Sequence, residues 1–274
     1  MFALFVLVPC FGQYPDFNPQ PNNFIVSPHI INPSSFKEEV TIDFLYKNKT
    51  GLFNDLRSIY AGLIVPSNKR NFGFKIFSQQ ETLMFSKTKA HLSYAVKIEF
   101  NKRFNWVLGS QAGISNIYFG SSNASSGGSD SNFDISFAST MSYEKLKWAL
   151  ILHQITNANL MPIDYIFSLR PYLESYVLYQ FDLGSLLKLN TAYKILYQSN
   201  FYNDLNLELE HDGNMGALIS LKNDYMSAGG FLNFSIESFT TRMHASYSFQ
   251  PFWGTNRQII MNEIEVGLMI TIDP

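Results

Sequence analysis

Strict alternation of apolar and polar residues, repeated in one segment after another, narrows most sharply what this chain can fold into. From Lys89 to Phe100, the side chains of Ala90, Leu92, Tyr94, Val96, Ile98 and Phe100 point one way. Those of Lys89, His91, Ser93, Ala95, Lys97 and Glu99 point the other. Leu205, Leu207 and Leu209 alternate with Asn206, Glu208 and Glu210 in the same manner, and Ile264, Val266 and Leu268 with Glu263 and Glu265. A period of two belongs to a strand with one greasy and one wet face. Nothing in the body of the chain approaches the roughly 20 consecutive apolar residues of a transmembrane helix. Aromatic residues make up 16% of the chain and charged residues only 15%, below the roughly 25% of soluble domains. Composition alone also permits a soluble β-sandwich, but a wholly apolar face on every strand is the signature of a membrane barrel.

The pattern predicts strands over 39–46, 57–66, 71–79, 89–100, 103–119, 132–141, 146–154, 169–182, 186–197, 200–210, 214–222, 225–236, 239–250 and 259–273. The expected fold is therefore all-β, a transmembrane antiparallel β-barrel of about 14 strands. The connections test this independently. Those after every second strand are tight: Pro66 to Arg70, Asn101-Lys102, Ser142 to Lys145, Leu183 to Ser185, His211 to Gly213, and a joint near Glu237. Several on the opposite side are long, namely Lys47 to Leu56, Gly120 to Ser131, Ile155 to Ser168 and Pro251 to Gln258. Short periplasmic turns and longer extracellular loops are the rule for bacterial barrels. The expected location is the cell outer membrane, with lipid as one partner and both termini periplasmic.

Ahead of the barrel, residues 1–12 read as a partial signal peptide, an apolar run from Phe2 to Phe11 that lacks a charged start. Lipid attachment at Cys10 competes with this reading, although Val8-Pro9 is a poor lead-in to a lipidated cysteine. Residues 13–38 are proline-rich, with Pro15, Pro19, Pro21, Pro28 and Pro33, and cannot form regular helix or central strand. The same segment carries Phe17, Phe24, Ile25, Val26, Ile30 and Ile31, which need burial. Two readings follow: a segment at the periplasmic mouth or in the lumen, or a disordered tail. Residues 39–274 form the barrel.

Chemistry is sparse. The net charge of −2 gives no basis for binding nucleic acid. Five histidines, His29, His91, His153, His211 and His244, show no metal-ligand spacing. No serine is singled out with a base and an orienting group, so we expect no catalytic, metal or cofactor site. Gly109 and Gly113 fall within a strand and do not form a phosphate loop. His211-Asp212-Gly213-Asn214 reads as a hairpin turn. Glu174, Asp182, Lys188, Lys194, Glu208 and Glu210 face inward with mixed sign, to tune a pore or to cross-link a closed lumen. Leu160, Met161 and Pro162 form a candidate cargo-contact loop more apolar than solvent requires, unless they pack against their neighbours.

The opening Gln13 to Pro19, which includes Asn18 and Pro19, and the element Ile31-Asn32-Pro33-Ser34 together resemble the start of the PorP/SprF family. Leu45-Tyr46-Lys47 ends the first strand as in that family. These are outer-membrane proteins of the type IX secretion system of Bacteroidota. Two departures stand out: Asn-Pro-Ser-Ser-Phe replaces the usual Asn-Pro-Ala-Tyr-Ala-Gly, and the chain ends Thr271-Ile272-Asp273-Pro274 without a terminal aromatic. The resemblance implies a non-enzymatic barrel that assists secretion and surface attachment of a large cargo such as a gliding adhesin, through the cargo's C-terminal domain. It also implies type IX translocon or ring components as partners. A passive porin and an outer-membrane hydrolase are the alternatives.

Overall fold

The computed structural model describes residues 20–50, 56–82, 84–121, 127–163, 165–222, 225–249 and 262–272. The expected apolar leader at 1–12, together with Asn18 and Pro19, lies outside the described residues. Seven strands come first: β1 (Val40–Thr50), β2 (Arg57–Ser67), β3 (Arg70–Thr82), β4 (Phe85–Glu99), β5 (Phe104–Phe119), β6 (Gly128–Tyr143) and β7 (Leu146–His153). A hairpin, β8 (Asn159–Ile163) and β9 (Tyr165–Ser168), interrupts the meander. Seven more follow: β10 (Tyr172–Asp182), β11 (Leu187–Tyr197), β12 (Phe201–His211), β13 (Met215–Lys222), β14 (Met226–Ile236), β15 (Phe239–Phe249) and β16 (Asn262–Ile272).

Every strand except β8 and β9 joins one closed antiparallel barrel, and β1 pairs with β16 from Val40↔Ile272 to Thr50↔Asn262 to seal it. Closure leaves no strand edge in the wall, so each backbone N–H and C=O there finds a partner without water. The alternation sorts as expected. On β4, Leu92 is 68% exposed on the lipid side while Lys89 is 2% exposed in the lumen. Polar atoms on the lipid side are paired: the Trp106 indole N–H donates to Ser139 and that of Trp148 to Ser175. Aromatic girdles mark both rims, with Phe100, Tyr143 and Phe181 near one end and Tyr118, Tyr197 and Phe201 near the other.

The two ends differ as the connection lengths imply. At one end the turns centre on Asn68, Glu144, Gly184, Asp212-Gly213 and Glu237, all with positive φ, the conformation that tight hairpins need and Asn, Asp and Gly adopt most easily. The opposite end carries the long connections. Strands run beyond the expected limits there, with β1 reaching Thr50 and β6 starting at Gly128 opposite Phe119. Ladder pairing depends on the backbone, so it continues past the apolar belt that periodicity detects.

The largest departure from expectation is the β8–β9 hairpin inside the 155–168 connection. It folds inward over the mouth, where Leu160 and Leu169, both at 0% exposure, pack with Ala158 on inward-facing Ile117 at the end of β5. Phe85, Phe119 and Phe167 close an aromatic cluster beside them. The lipid-facing surface supplies a depth test. Leu92→Arg, at the middle of β4, will destabilise the folded barrel in lipid vesicles by about 2–4 kcal/mol. Ile98→Arg, near the rim, will cost about 1 kcal/mol or less. Equilibrium unfolding of both variants in bilayers measures the difference.

Candidate functional site: the occupied lumen

A chain with prolines at 21, 28 and 33 cannot pair in a sheet, so its backbone polar groups need other partners when it is buried. The wall supplies them. Residues 20–38 lie inside the barrel, with a single 3-10 turn over Pro28–Ile30. The Asn22 N–H donates to Glu265 Oε2 at 2.7 Å and the Phe24 N–H to Asn206 Oδ1 at 3.3 Å. Carbonyls are met by lysines. Lys47 donates to Gln20 O at 2.6 Å, Lys222 to Pro21 O at 2.8 Å, and Lys75 to His29 O and Ile30 O at 3.3 and 3.2 Å. Charge-assisted bonds of this kind satisfy lysine and peptide together, which neither could manage alone in a lumen sheltered from water.

The apolar side chains of the segment complete the occupancy. Phe24, Ile30 and Ile31 join Leu45, Tyr60, Phe77, Ile151 and Tyr176 of the wall in one buried cluster. Val26 packs on Leu218 and Phe231 across the lumen. Each large side chain buried in this way contributes about 1.5–3 kcal/mol before the entropy of ordering is charged against it. Partners thus come from all around the wall, and the segment divides the lumen.

The tightest point is the Asn-Pro element. Asn32 is 0% exposed. Its Nδ2 donates to Thr140 Oγ1 on β6 at 2.9 Å and to Tyr176 Oη on β10 at 2.8 Å. Its Oδ1 accepts from the N–H and hydroxyl of Ser34 at 2.8 and 2.7 Å, an Asx-type turn. Pro33 follows with its backbone against Gly109 of β5, where an added Cβ would lie 2.5 Å from the Pro33 carbonyl. A glycine there lets the segment approach the wall.

The segment has a direction. Lys47 near the Thr50 end of β1 and Lys194 near the Tyr197 end of β11 both hold Gln20, Lys194 reaching its side chain at 2.8 Å. Asn32 meets Thr140 near the Tyr143 end of β6, and Glu38 pairs at 2.9 Å with Lys97 near the Glu99 end of β4. The chain therefore enters at the long-loop end and descends to the short-turn end, where β1 begins. Val40 and Ile272 meet at the short-turn end, and Gln20 lies at the opposite mouth. Periodicity has no bearing on a segment without a period, so its direction was not readable in sequence.

The inward-facing charges cross-link the wall. Lys47 reaches Glu263 at 2.8 Å and Glu265 at 3.3 Å, Lys89 reaches Asp134 at 3.3 Å, Lys194 reaches Asp204 at 3.4 Å, and Arg242 reaches Glu208 at 2.8 Å. His91, His153 and His244 face the lumen as the alternation implies and lean on Asp134, Glu174 and Glu265 at 3.4, 3.7 and 3.5 Å. His29 of the segment contacts Asp43. Among the described residues, no group of three or more His, Cys, Asp or Glu is placed to hold a metal ion. Asp182, Lys188 and Glu210 sit at the short-turn rim, with Asp182 against Lys145 and Lys188 at 3.6 Å from Glu210. Of the candidate contact loop, Leu160 and Pro162 are buried in the hairpin cap and only Met161, 55% exposed, remains available.

Residues 17–256 match the model of the family described as type IX secretion system membrane protein PorP/SprF. The chain belongs to the PorP/SprF family. No curated protein matches its sequence. Among solved structures, this PorP/SprF barrel is similar to the toluene transporter TbuX of Ralstonia pickettii, with a TM-score of 0.57 and 9% identity over 89% of this chain and 92% of that one. It is also similar to a deltaS2S3 mutant of the monoaromatic hydrocarbon channel TodX (TM-score 0.60, 7% identity, 97% and 98% coverage). A Pseudomonas aeruginosa FadL homologue aligns at a TM-score of 0.54 and 10% identity over 88% and 92%. At such identities the likeness is one of fold. The family and its structural neighbours are secretion and transport barrels of the membrane.

Asn32→Ala removes both wall bonds and the internal turn at a cost of about 1–3 kcal/mol. Gly109→Val forces the segment away from β5. Both variants will expose residues 20–38 to limited proteolysis while the fourteen-stranded barrel keeps its heat-modifiable migration on gels.

Proposed function

We propose that this PorP/SprF chain is a non-enzymatic outer-membrane barrel that assists secretion and surface attachment of a large cargo protein, such as a gliding adhesin, by binding the cargo's C-terminal domain from outside its lumen. The observation that carries this reading is the occupied lumen. A barrel filled from mouth to mouth by its own N-terminal segment, and capped by the β8–β9 hairpin, offers no wide path for a polypeptide or a solute. Its useful surfaces are the rims. The long-loop rim, with Met161 exposed beside the hairpin cap, faces the medium and is where cargo docks. The short-turn rim faces the periplasm and is where ring or translocon components bind.

A passive porin requires a continuous aqueous channel, which the segment interrupts. The charged, cross-linked wall also suits a fixed peptide better than the aromatic hydrocarbons named for the structural neighbours. An outer-membrane hydrolase finds its histidines engaged with wall carboxylates.

Affinity purification from the native outer membrane, followed by mass spectrometry, tests the proposal. It will recover a very large secreted protein or components of the translocon. In planar bilayers the purified barrel will show little steady conductance, and a variant lacking residues 20–38 will conduct ions if it retains the fold by circular dichroism. Recovery of the barrel alone, with clear conductance of the unmodified protein, sinks the proposal in favour of a porin.

A further inference from the structure

Halfway along the lumen, one buried ammonium group has more donors than the protein has acceptors for it. Lys75 stands on β3 opposite Gly62 of β2 and His91 of β4. An ammonium carries three donors, and His29 O and Ile30 O of the segment take two of those on Lys75. Among the described residues Lys75 forms no ion pair. Its neighbours are provided for: Asp134 meets Lys89 and His91 at 3.3 and 3.4 Å, and Glu174 faces His153 at 3.7 Å. Lys75, Lys89, His91, Gln111 and Tyr60 line one cavity of about 20 Å³, with Ile30 and Ile31 of the segment on its apolar side. Neither Asp134 nor Glu174 lines that cavity. Two more of its polar atoms have no protein partner, Tyr60 Oη and Gln111 Oε1, on side chains only 1% and 5% exposed. Tyr60 folds along β2 over Gly62, the register partner of Lys75, where an added Cβ would collide with the phenol hydroxyl. That places the hydroxyl one strand away from the Lys75 ammonium.

We propose that this cavity binds one small inorganic anion of single charge, with chloride the abundant example, between the Lys75 and Lys89 ammonium groups. The third N–H of Lys75 and the Tyr60 hydroxyl donate to it. Gln111 makes no side-chain hydrogen bond among the described residues, so its amide is free to turn an N–H inward as a further donor. Charge decides between an anion and a water. Water would satisfy the donors, but it would leave the Lys75 charge buried without a carboxylate of its own, which is expensive in a sheltered lumen. A single anion meets the donors and the charge together, through charge-assisted bonds. The space suits one or two waters or one small ion, and it is far too small for an organic anion such as gluconate. The site also bears on the segment. The ammonium that would hold the anion is the one that grips the carbonyls of His29 and Ile30. An anion bridging Lys75 to Tyr60 of β2 and Gln111 of β5 therefore fastens the middle of the segment, between the lysine clamp on Gln20 and the Asn32 latch.

The full barrel, purified in detergent, tests the site with bromide as the probe. Crystals grown in sodium bromide will show an anomalous-scattering peak between Lys75 and Lys89. In solution, replacing sodium gluconate by sodium bromide at constant ionic strength will raise the unfolding temperature and slow limited proteolysis of residues 20–38. Both effects will saturate, as they do for a ligand that only the folded state binds. Tyr60→Phe deletes a donor that no protein group uses, and will move the half-saturating bromide concentration severalfold upward. Lys75→Met will abolish the response, and if that variant fails to close its barrel, Tyr60→Phe decides alone. A cavity without anomalous signal, holding water, overturns the proposal. So does a peak with no bromide-specific gain in stability, or with the same bromide dependence in Tyr60→Phe, because either marks an adventitious ion only.

Discussion

The pairing of β1 with β16 is the interaction on which everything else in this molecule depends. Within a bilayer an unpaired peptide group has no water to turn to, so an open sheet is not an option. Eleven residue pairs from Val40↔Ile272 to Thr50↔Asn262 turn a meander into a closed wall. Closure fixes one face of every strand against lipid and the other in a shared interior, and the interior then has to be reconciled with itself. Side chains such as Lys89, Asp134, Lys194 and Asp204, polar because they face away from lipid, are nearly as buried as any core residue. They are tolerable only because they are paired with one another or with the segment that fills the lumen.

That segment solves two problems at once. Its prolines exclude it from the sheet, so its peptide groups are free to accept from lysines and donate to carboxamides of the wall. The wall in turn gains acceptors for Lys47, Lys75 and Lys222 that its own carboxylates do not fully provide. Asn32 acts as the latch because it uses both ends of its amide, donating across to β6 and β10 while accepting from Ser34. This gives a structural reason for an Asn-Pro element where the PorP/SprF resemblance places one: the amide is read by the wall, and Pro33 fixes the backbone where Gly109 makes room. The Ser34-Ser35-Phe36 that stands where the family resemblance has Ala-Tyr-Ala is accommodated, since Ser34 bonds to Thr140 and Phe36 lies under the Lys97 ammonium.

How much of this was legible in the sequence follows from what carries a period. Leu92 against Lys89, or Leu209 against Glu208, states the two faces of a strand directly, and the tight turns at Asn68 and Asp212-Gly213 state where strands reverse. The barrel, its strand count and the asymmetry of its ends were therefore readable. The hairpin of β8 and β9 was not, because two strands this short have too few residues to show a period, and the apolar Leu160, Met161 and Pro162 fit a contact surface and packing against neighbours equally well. The course of residues 20–38 was only half readable. Phe24 and Ile31 announced the need for burial, but nothing local distinguishes a segment that rises from one that descends. That information lies in the spacing of Lys47, Lys75 and Thr140 on three different strands, and becomes visible only when the strands are assembled.

A barrel closed in this manner constrains how a secretion system can use it. Opening it would require breaking the Asn32 latch, several lysine contacts and an apolar cluster together, and such a cooperative change costs far more than binding a partner at a rim. On the function proposed above, a partner docking at the long-loop mouth would meet a surface already rigid, because the β8–β9 cap is pinned from below by Ile117 and the neighbouring phenylalanines. Rigidity of that kind lowers the entropy lost on docking. Under that proposal the plug and the cap act as a foundation for an attachment surface and not as a gate, and the wall around them holds that surface in the membrane.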